Sequence, residues 1–301
     1  MARRQPQRLL TQIFGSGQPP VRATLWARAF ARMRPARLRR HRELLARFAA
    51  KIGLELGGPS AIFGRRGLLP VYPAAARIDN CNFSLNTVWH EQPSGAPDAF
   101  RYDTQRSAGR QFVAEATALT CAAESYDFVL CSHVIEHSAN PLRFLEECKR
   151  VLRSGGDLVL ILPHKDGTFD HRRPVTALEH LLSDFHRGLD EHDLTHLEEV
   201  LQLHDLQVDP EAGSAEQFRA RCLKNFENRC IHHHVFDTQL AVRMVDQAGL
   251  QIQDVQTAYP FHIVIVATKL ADEARAENEM YLRKDAPYRL RTPFPSDRLS
   301  P

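Results

Sequence analysis

The residues able to do chemistry in this 301-residue sequence fall into two groups. The first lies at the ends of short apolar runs. IGLEL at 52–56 runs into Gly57 and Gly58, ARID at 76–79 ends on Asp79, and FVAE at 112–115 ends on Glu115. YDFVLC at 126–131 leads to Ser132 and His133, and DLVLIL at 157–162 leads through Pro163 to His164. Runs that are apolar without alternation read as buried parallel strands, and open parallel sheets bind ligands at the carboxyl ends of their strands. The second group is the stretch 164–234, which holds ten of the fifteen histidines. Imidazole is the side chain best matched to proton transfer near neutral pH. His133, His164 and His171 are therefore the candidate bases, with Asp166 and Asp170 placed to orient one of them. Arg172 and Arg173 could grip an anionic acceptor bidentately.

Metal chemistry is the competing use of these histidines. His133 to His137 fits His-x-x-Glu-His, but a zinc peptidase needs both histidines on one helical face. Here the run leaves a buried strand and precedes a helix start, so it reads as a turn. In the insert, His171, His192, His196, His204 and 232–234 lie near Asp170, Asp193 and Asp205. No pair has firm ligand spacing, because Thr195 reads as a helix cap that leaves His192 outside. The expectation is no metal.

The elements that must position these groups follow from pattern. Ser138 and Asn140 can cap a helix with Pro141 in its first turn. Leu142, Leu145, Cys148 and Leu152 form its apolar stripe, and Gly155-Gly156 ends it. Thr176-x-x-Glu179 and Thr195-x-x-Glu198 read as capping boxes. A helix near 238–247 and strands at 250–257 and 262–268 complete the alternation. The expected fold is α/β: a Rossmann-like, mostly parallel, doubly wound sheet with helices on both faces. A mainly helical His-rich cap, about 164–235, is inserted in it. The domain spans 52–269, between a basic segment 1–51 and a flexible tail 270–301.

Composition narrows the class. Hydrophobic residues make up 43% and charged residues 25%, as in a globular protein. The longest apolar runs, at 158–162 and 263–267, are too short to span a bilayer. Twelve Arg and one Lys against Glu43 give residues 1–51 a charge of +12 within a total of +3, so the rest carries −9. An acidic body disfavours nucleic acid. The basic segment reads as a helix pair with a solvated face, an organellar import signal or an arm on anionic lipid. Six cysteines without Cys-x-x-Cys fit a reducing, cytoplasmic setting.

The block YDFVLCSHVIEH at 126–137, with Asn140-Pro141 and RVLRSGGDLVL at 150–160, resembles the class I S-adenosylmethionine-dependent methyltransferases of the type 11 branch. ELGGPS at 55–60, DNCNFS at 79–84, TFDHRRP at 168–174 and HHHVF at 232–236 resemble an uncharacterised subgroup, some of whose members are linked to surface-polysaccharide genes. The resemblance covers about 52–166 and 236–269. It implies that Glu55, Gly57 and Gly58 form the first cofactor loop, where the backbone must approach closely. It implies Asp79 on the ribose hydroxyls, Glu115, Ala116 and Leu119 around the adenine, and Ser132 and His133 beneath the cofactor. Pro59 stands where the family's second loop glycine falls, which removes one backbone donor.

The function so implied is methyl transfer from S-adenosylmethionine to a small-molecule or glycan acceptor, at oxygen, under the His-rich cap. Two other readings remain: a catalytically inactive scaffold of the same fold, and a metal-dependent hydrolase built from the insert.

Overall fold

The computed structural model describes residues 36–84 and 98–299. Eight strands form one sheet: β1 Ile52–Leu56, β2 Arg77–Asn82, β3 Ala99–Phe100, β4 Gly109–Val113, β5 Tyr126–Ser132, β6 Leu152–Pro163, β7 Gln251–Ala258 and β8 His262–Thr268. Their order is β3-β4-β2-β1-β5-β6-β8-β7. Pairings from β4 through β6 are parallel, while β3, β7 and β8 add antiparallel edges. The central parallel strands sit between two apolar clusters, as their uninterrupted apolar runs require.

The short helix α1, His41–Ala46, lies under one face. The helix α2, Pro141–Val151, connects β5 to β6 on the other; Asn140 Oδ1 caps it by accepting from Arg143 N at 3.1 Å, and Pro141 occupies its first position. The insert contributes α3 Leu178–Arg187, α4 Leu197–Leu203, α5 Ala215–Cys222 and α6 Asn225–Asn228. The helix α7, Thr238–Gln247, precedes β7, and α8 Glu279–Leu282 and α9 Pro295–Leu299 follow β8. Helices α2, α3 and α7 cover one face. On the other, α1, a 3₁₀ turn at Ala61–Phe63 and the loop carrying Leu69 and Tyr72 do the covering, so the two faces are not equally helical.

Packing continues on both sides of residues 52–269. Most of the basic segment lies outside the described residues, but Leu38, Leu44 and Phe48 belong to the core, and the Phe48 ring meets Phe128 edge-on at 5.3 Å. The tail is ordered by two polar anchors. Asn278 Oδ1 accepts from Ile252 N at 2.8 Å, and the buried Asp297 accepts from Thr238 and Thr292, each at 2.7 Å. No helix among the described residues is long and apolar enough to cross a membrane.

Candidate active site

The chain leaves β1 toward β2 and β4, then returns to β5 on the other side of β1. That reversal opens a crevice at the carboxyl ends of β1 and β5, where such sheets bind ligands. The loop after β1 and the turn after β5 meet there. Gly57 has φ +75°, and a Cβ on it would stand 2.4 Å from Val134 Cγ2. Ser60 Oγ donates to Ser132 Oγ at 3.2 Å. A side chain at Gly57 would therefore be both strained and blocked.

Glu55 braces this loop from below. Its carboxyl accepts from Tyr72 Oη at 2.7 Å and from Ser60 N at 3.0 Å. Burial pushes it up to about 8, so it stands protonated at neutral pH. Gly58 N donates to Asn80 Oδ1 at 2.9 Å, and a Cβ on Gly58 would strike the Glu55 carboxyl.

His133 stands on the opposite wall at φ 56°, left-handed geometry that a non-glycine residue seldom adopts. Its ring is partly exposed. Nε2 lies 2.9 Å from His262 Nδ1, and Nδ1 lies 3.5 Å from Glu136 Oε1. Burial would raise the Glu136 carboxyl, but the hydrogen bond from His133 and the nearby His137 and His232 leave it lowered and ionised. Burial holds His262 well below its ordinary value, hence neutral.

Residues 94–160 match the family model described as "Methyltransferase domain". The matched stretch takes in β3, β4, β5, α2 and most of β6, and over it the chain is similar to methyltransferase domains. The chain is 37% identical over 73 residues to a ubiquinone biosynthesis O-methyltransferase of Parvibaculum lavamentivorans, covering 24% of this chain and 28% of that one. A protein of the same name from Dinoroseobacter shibae is 34% identical over 113 residues, 38% of this chain and 34% of that one. The chain thus spans about a third or less of these relatives' length. A SAM-dependent methyltransferase from Aquifex aeolicus superposes loosely, with TM-score 0.41 and 12% identity over 80% of this chain and 93% of that one.

Several sequence-derived site residues are placed differently in this domain. Asp79 does not end β2; it lies opposite Leu54, three residues before the strand's last residue, Asn82. Its buried carboxylate is occupied by Arg110 N and Nη2, both at 2.9 Å, and by Tyr126 Oη at 3.2 Å. The polar side chain at the carboxyl end of β2 is Asn82, with Asn80 behind it. Glu115 lies two residues beyond β4 and pairs with Arg229 of the insert. Ala116 follows Glu115, and Leu119 is buried with its amide donating to Glu147 Oε2 at 2.7 Å. The Arg229 guanidinium also lies 5.1 Å from the Phe83 ring, so the insert reaches across the ends of β2 and β4.

His164 is fully buried, stacked on Phe294 and 3.1 Å from Asp297 Oδ1. The C-terminal segment thus takes it out of the candidate bases, and Asp166 accepts from Ser296 N of the same segment at 2.9 Å. His171 is half-exposed beside Asp205. Asp170 is buried against His232 Nδ1 at 2.5 Å and Arg173 Nη1 at 3.1 Å. Burial would raise its carboxyl; those two partners overcome this and hold it far below the carboxylate range. Arg173 is itself buried, donating to the His232 carbonyl at 2.8 Å and to Glu199 at 2.8 Å, while Arg172 pairs with Asp205 at 2.7 Å. Both arginines make their ion pairs within the insert, Arg173 buried and Arg172 half-exposed. His133 is the candidate base the structure keeps at the crevice, and His262 and Asn82 are the neighbours that sequence reading missed. Asn82 closes β2, an end the sequence reading set at Asp79, whereas His262 was already placed at the start of its strand and only its approach to His133 was unforeseen.

Proposed function

We propose that this chain transfers the methyl group of S-adenosylmethionine to an oxygen atom of a small-molecule or sugar acceptor. The observation that carries the reading is the meeting of the bare Gly57 turn with the Ser132-His133 turn at the switch point of the sheet. When bound, the cofactor supplies an electrophilic sulfonium methyl, and the protein supplies orientation and electrostatics. Gly57 and Gly58 would flank its amino-acid portion, Asn82 would accept from the ribose in the place expected for Asp79, and Glu115, Ala116 and Leu119 would line the adenine. With Nδ1 turned to Glu136, His133 would take the acceptor's hydroxyl proton on Nε2, the acceptor replacing its contact with His262, as the new C–O bond forms and the C–S bond breaks. Ionised Glu136 behind its Nδ1 would stabilise the resulting imidazolium. The insert, with Arg229 over the strand ends, would cover the acceptor. The two relatives named as O-methyltransferases support oxygen as the target.

One observation favours the scaffold reading: the Gly58 amide already donates to Asn80, leaving fewer loop donors for a cofactor. Calorimetric titration with S-adenosylmethionine decides between the two. Binding should weaken about tenfold in Asn82→Ala, the loss of one hydrogen bond. It should persist in His133→Ala, while turnover on a hydroxyl acceptor falls by about 10²–10⁴. A folded native chain that binds no cofactor would leave the scaffold reading standing.

A further inference from the structure

We infer that the insert contains a binding site for a divalent first-row transition cation of the zinc class, formed by His180, Asp184, His196 and His234. One ligand atom from each of these residues lies within 4.8 Å of all the others. His180 Nε2 is 3.1 Å from His196 Nε2 and 3.2 Å from Asp184 Oδ2, and His234 Nε2 is 3.9 Å from that same oxygen. Metal–nitrogen bonds of ~2.0–2.1 Å in a tetrahedron put ligand atoms about 3.3–3.4 Å apart, so these separations bracket the required geometry. Three imidazoles and one carboxylate are a donor set for zinc and its neighbours, and poor for magnesium or calcium.

Protein–protein hydrogen bonds account for only part of the cluster, the His180–His196 pair. Asp184 is almost wholly buried, yet among the described residues its Oδ2 has no hydrogen-bond partner, only the His180 and His234 imidazoles beside it. His234 is fully buried; among the described residues its Nδ1 has no hydrogen-bond partner, and its Nε2 makes one long hydrogen bond, to the Ala139 carbonyl at 3.5 Å. Leaving a buried carboxylate oxygen unsatisfied is costly. The neighbouring group of Glu136, His137 and His232 also converges, but His232 Nδ1 is already held by Asp170 and His137 by the Ile231 carbonyl.

The four ligands come from three separate pieces of chain. His180 and Asp184 sit one turn apart on α3, whose Leu178 and Leu181 belong to the main core. His196 is the residue before α4, the first helix of a small separate core. His234 lies on the segment that returns to the sheet at the bridge between His164 and Phe236. Four protein donors leave no open position, the pattern of structural sites. The ion would clamp the small core to the main one and take no part in methyl transfer.

The full chain should be stripped with a chelator, titrated with Zn²⁺ and analysed for bound metal, with Co²⁺ as a spectroscopic substitute. The expected result is about one ion per chain, a raised thermal midpoint, and the intense visible bands of tetrahedral Co²⁺. His180 is half-exposed, so His180→Gln should fold yet lose the bands and bind at least tenfold more weakly. The exposed His192→Gln should behave as the native chain. A folded native chain that takes up no Zn²⁺ or Co²⁺ would overturn the inference. So would metal retained undiminished in His180→Gln, which would place the ion at the Glu136 group.

Discussion

On the α2 and α7 side of the sheet, Phe144, Leu160, Leu162, Val242 and Ile265 are completely buried in one apolar cluster. In the insert, the side chains at the same depth include Arg173, Asp170, His233 and His234, and the separate apolar core is only seven residues: Leu197, Val200, Ala212, Phe218, Cys222, Cys230 and Ile231. The sheet draws its stability from apolar area removed from water, about 25 cal/mol per Å². A core as small as that of the insert cannot offset the ordering of some seventy residues by the same means. Its polar network adds little net stability, because desolvation cancels most of the attraction, yet breaking any one link leaves a buried charge alone. The sheet should therefore respond to lost volume and the insert to lost charge balance.

Paired substitutions give the largest test of that difference. Phe144→Ala should cost about 3–5 kcal/mol through lost transfer energy and a cavity, lowering the denaturation midpoint of the whole domain. Arg173→Met should cost a similar amount, about 3–5 kcal/mol, by leaving Asp170 without its guanidinium. Its effect should be local: hydrogen exchange should show 170–173, 197–203 and 230–234 opening while amides of β5 and β6 stay protected. Uniform opening in Arg173→Met would merge the two regions into one cooperative unit.

Acid should separate them next. His137 lies at the joint between sheet and insert, facing Glu136, His133 and His232, with Nδ1 3.2 Å from the Ile231 carbonyl. Burial, reinforced by His232, pushes its imidazole down to about 4. The folded state thus refuses a proton that the unfolded chain accepts below pH ~6.5. That contribution is fully present above pH ~6.5 and is lost as the pH falls toward 4, about 3 kcal/mol in all. Asp170, also lowered, loses its contribution below pH ~4. His232 is raised by Asp170, against the effect of burial. It works in the opposite sense, its contribution complete below pH ~6.5 and fading as the pH rises through the raised value. Hydrogen exchange at pH 7 and pH 5, corrected for intrinsic rates, should show 135–137 and 230–234 loosening ahead of β5 and β6. Equal protection at both values would mean that His137 is not the joint.

The same contrast decides what could be read from the sequence. The central parallel strands and the start of α2 were legible because an unbroken apolar run or an Asn-Pro start has one local meaning; the end of α2 was not, since the helix stops at Val151 and Leu152, Gly155 and Gly156 belong to β6. Asp79 was misplaced because β2 continues three residues further, through Asn80, Cys81 and Asn82, a polar ending that does not look like strand. The insert was opaque for a different reason. Thr176 Oγ1 accepts from Val235 N instead of capping α3, and Thr195 donates to Asp193 instead of capping α4. His196 therefore becomes the residue before α4, while His192 still lies outside the helix; the cluster of His180, Asp184, His196 and His234 joins residues far apart in the sequence, which no local spacing displays. Asp297 and Asn278 were invisible because each acts alone on partners far away in the chain. A sequence shows periodic burial well, and single long-range polar contacts hardly at all.

The smallest expected effect marks the outer limit of the insert's network. Arg172 and Arg173 are adjacent, and both donate to acids of the insert, but Arg172 is half-exposed while Arg173 is buried. Water solvates a guanidinium at the surface almost as well as Asp205 does, and the pair is screened by salt. Arg172→Ala should therefore cost at most about 1 kcal/mol, a shift in thermal midpoint of no more than ~4 °C for a domain of this size. Raising the salt concentration should abolish even that difference. Neither change should reach the crevice at the ends of β1 and β5, because Arg172 makes its ion pair within the insert. If Arg172→Ala instead matched Arg173→Met, charge at the surface of the insert would matter as much as charge buried in it. The depth at which a group is held, and not its kind, would then no longer separate the insert from the sheet.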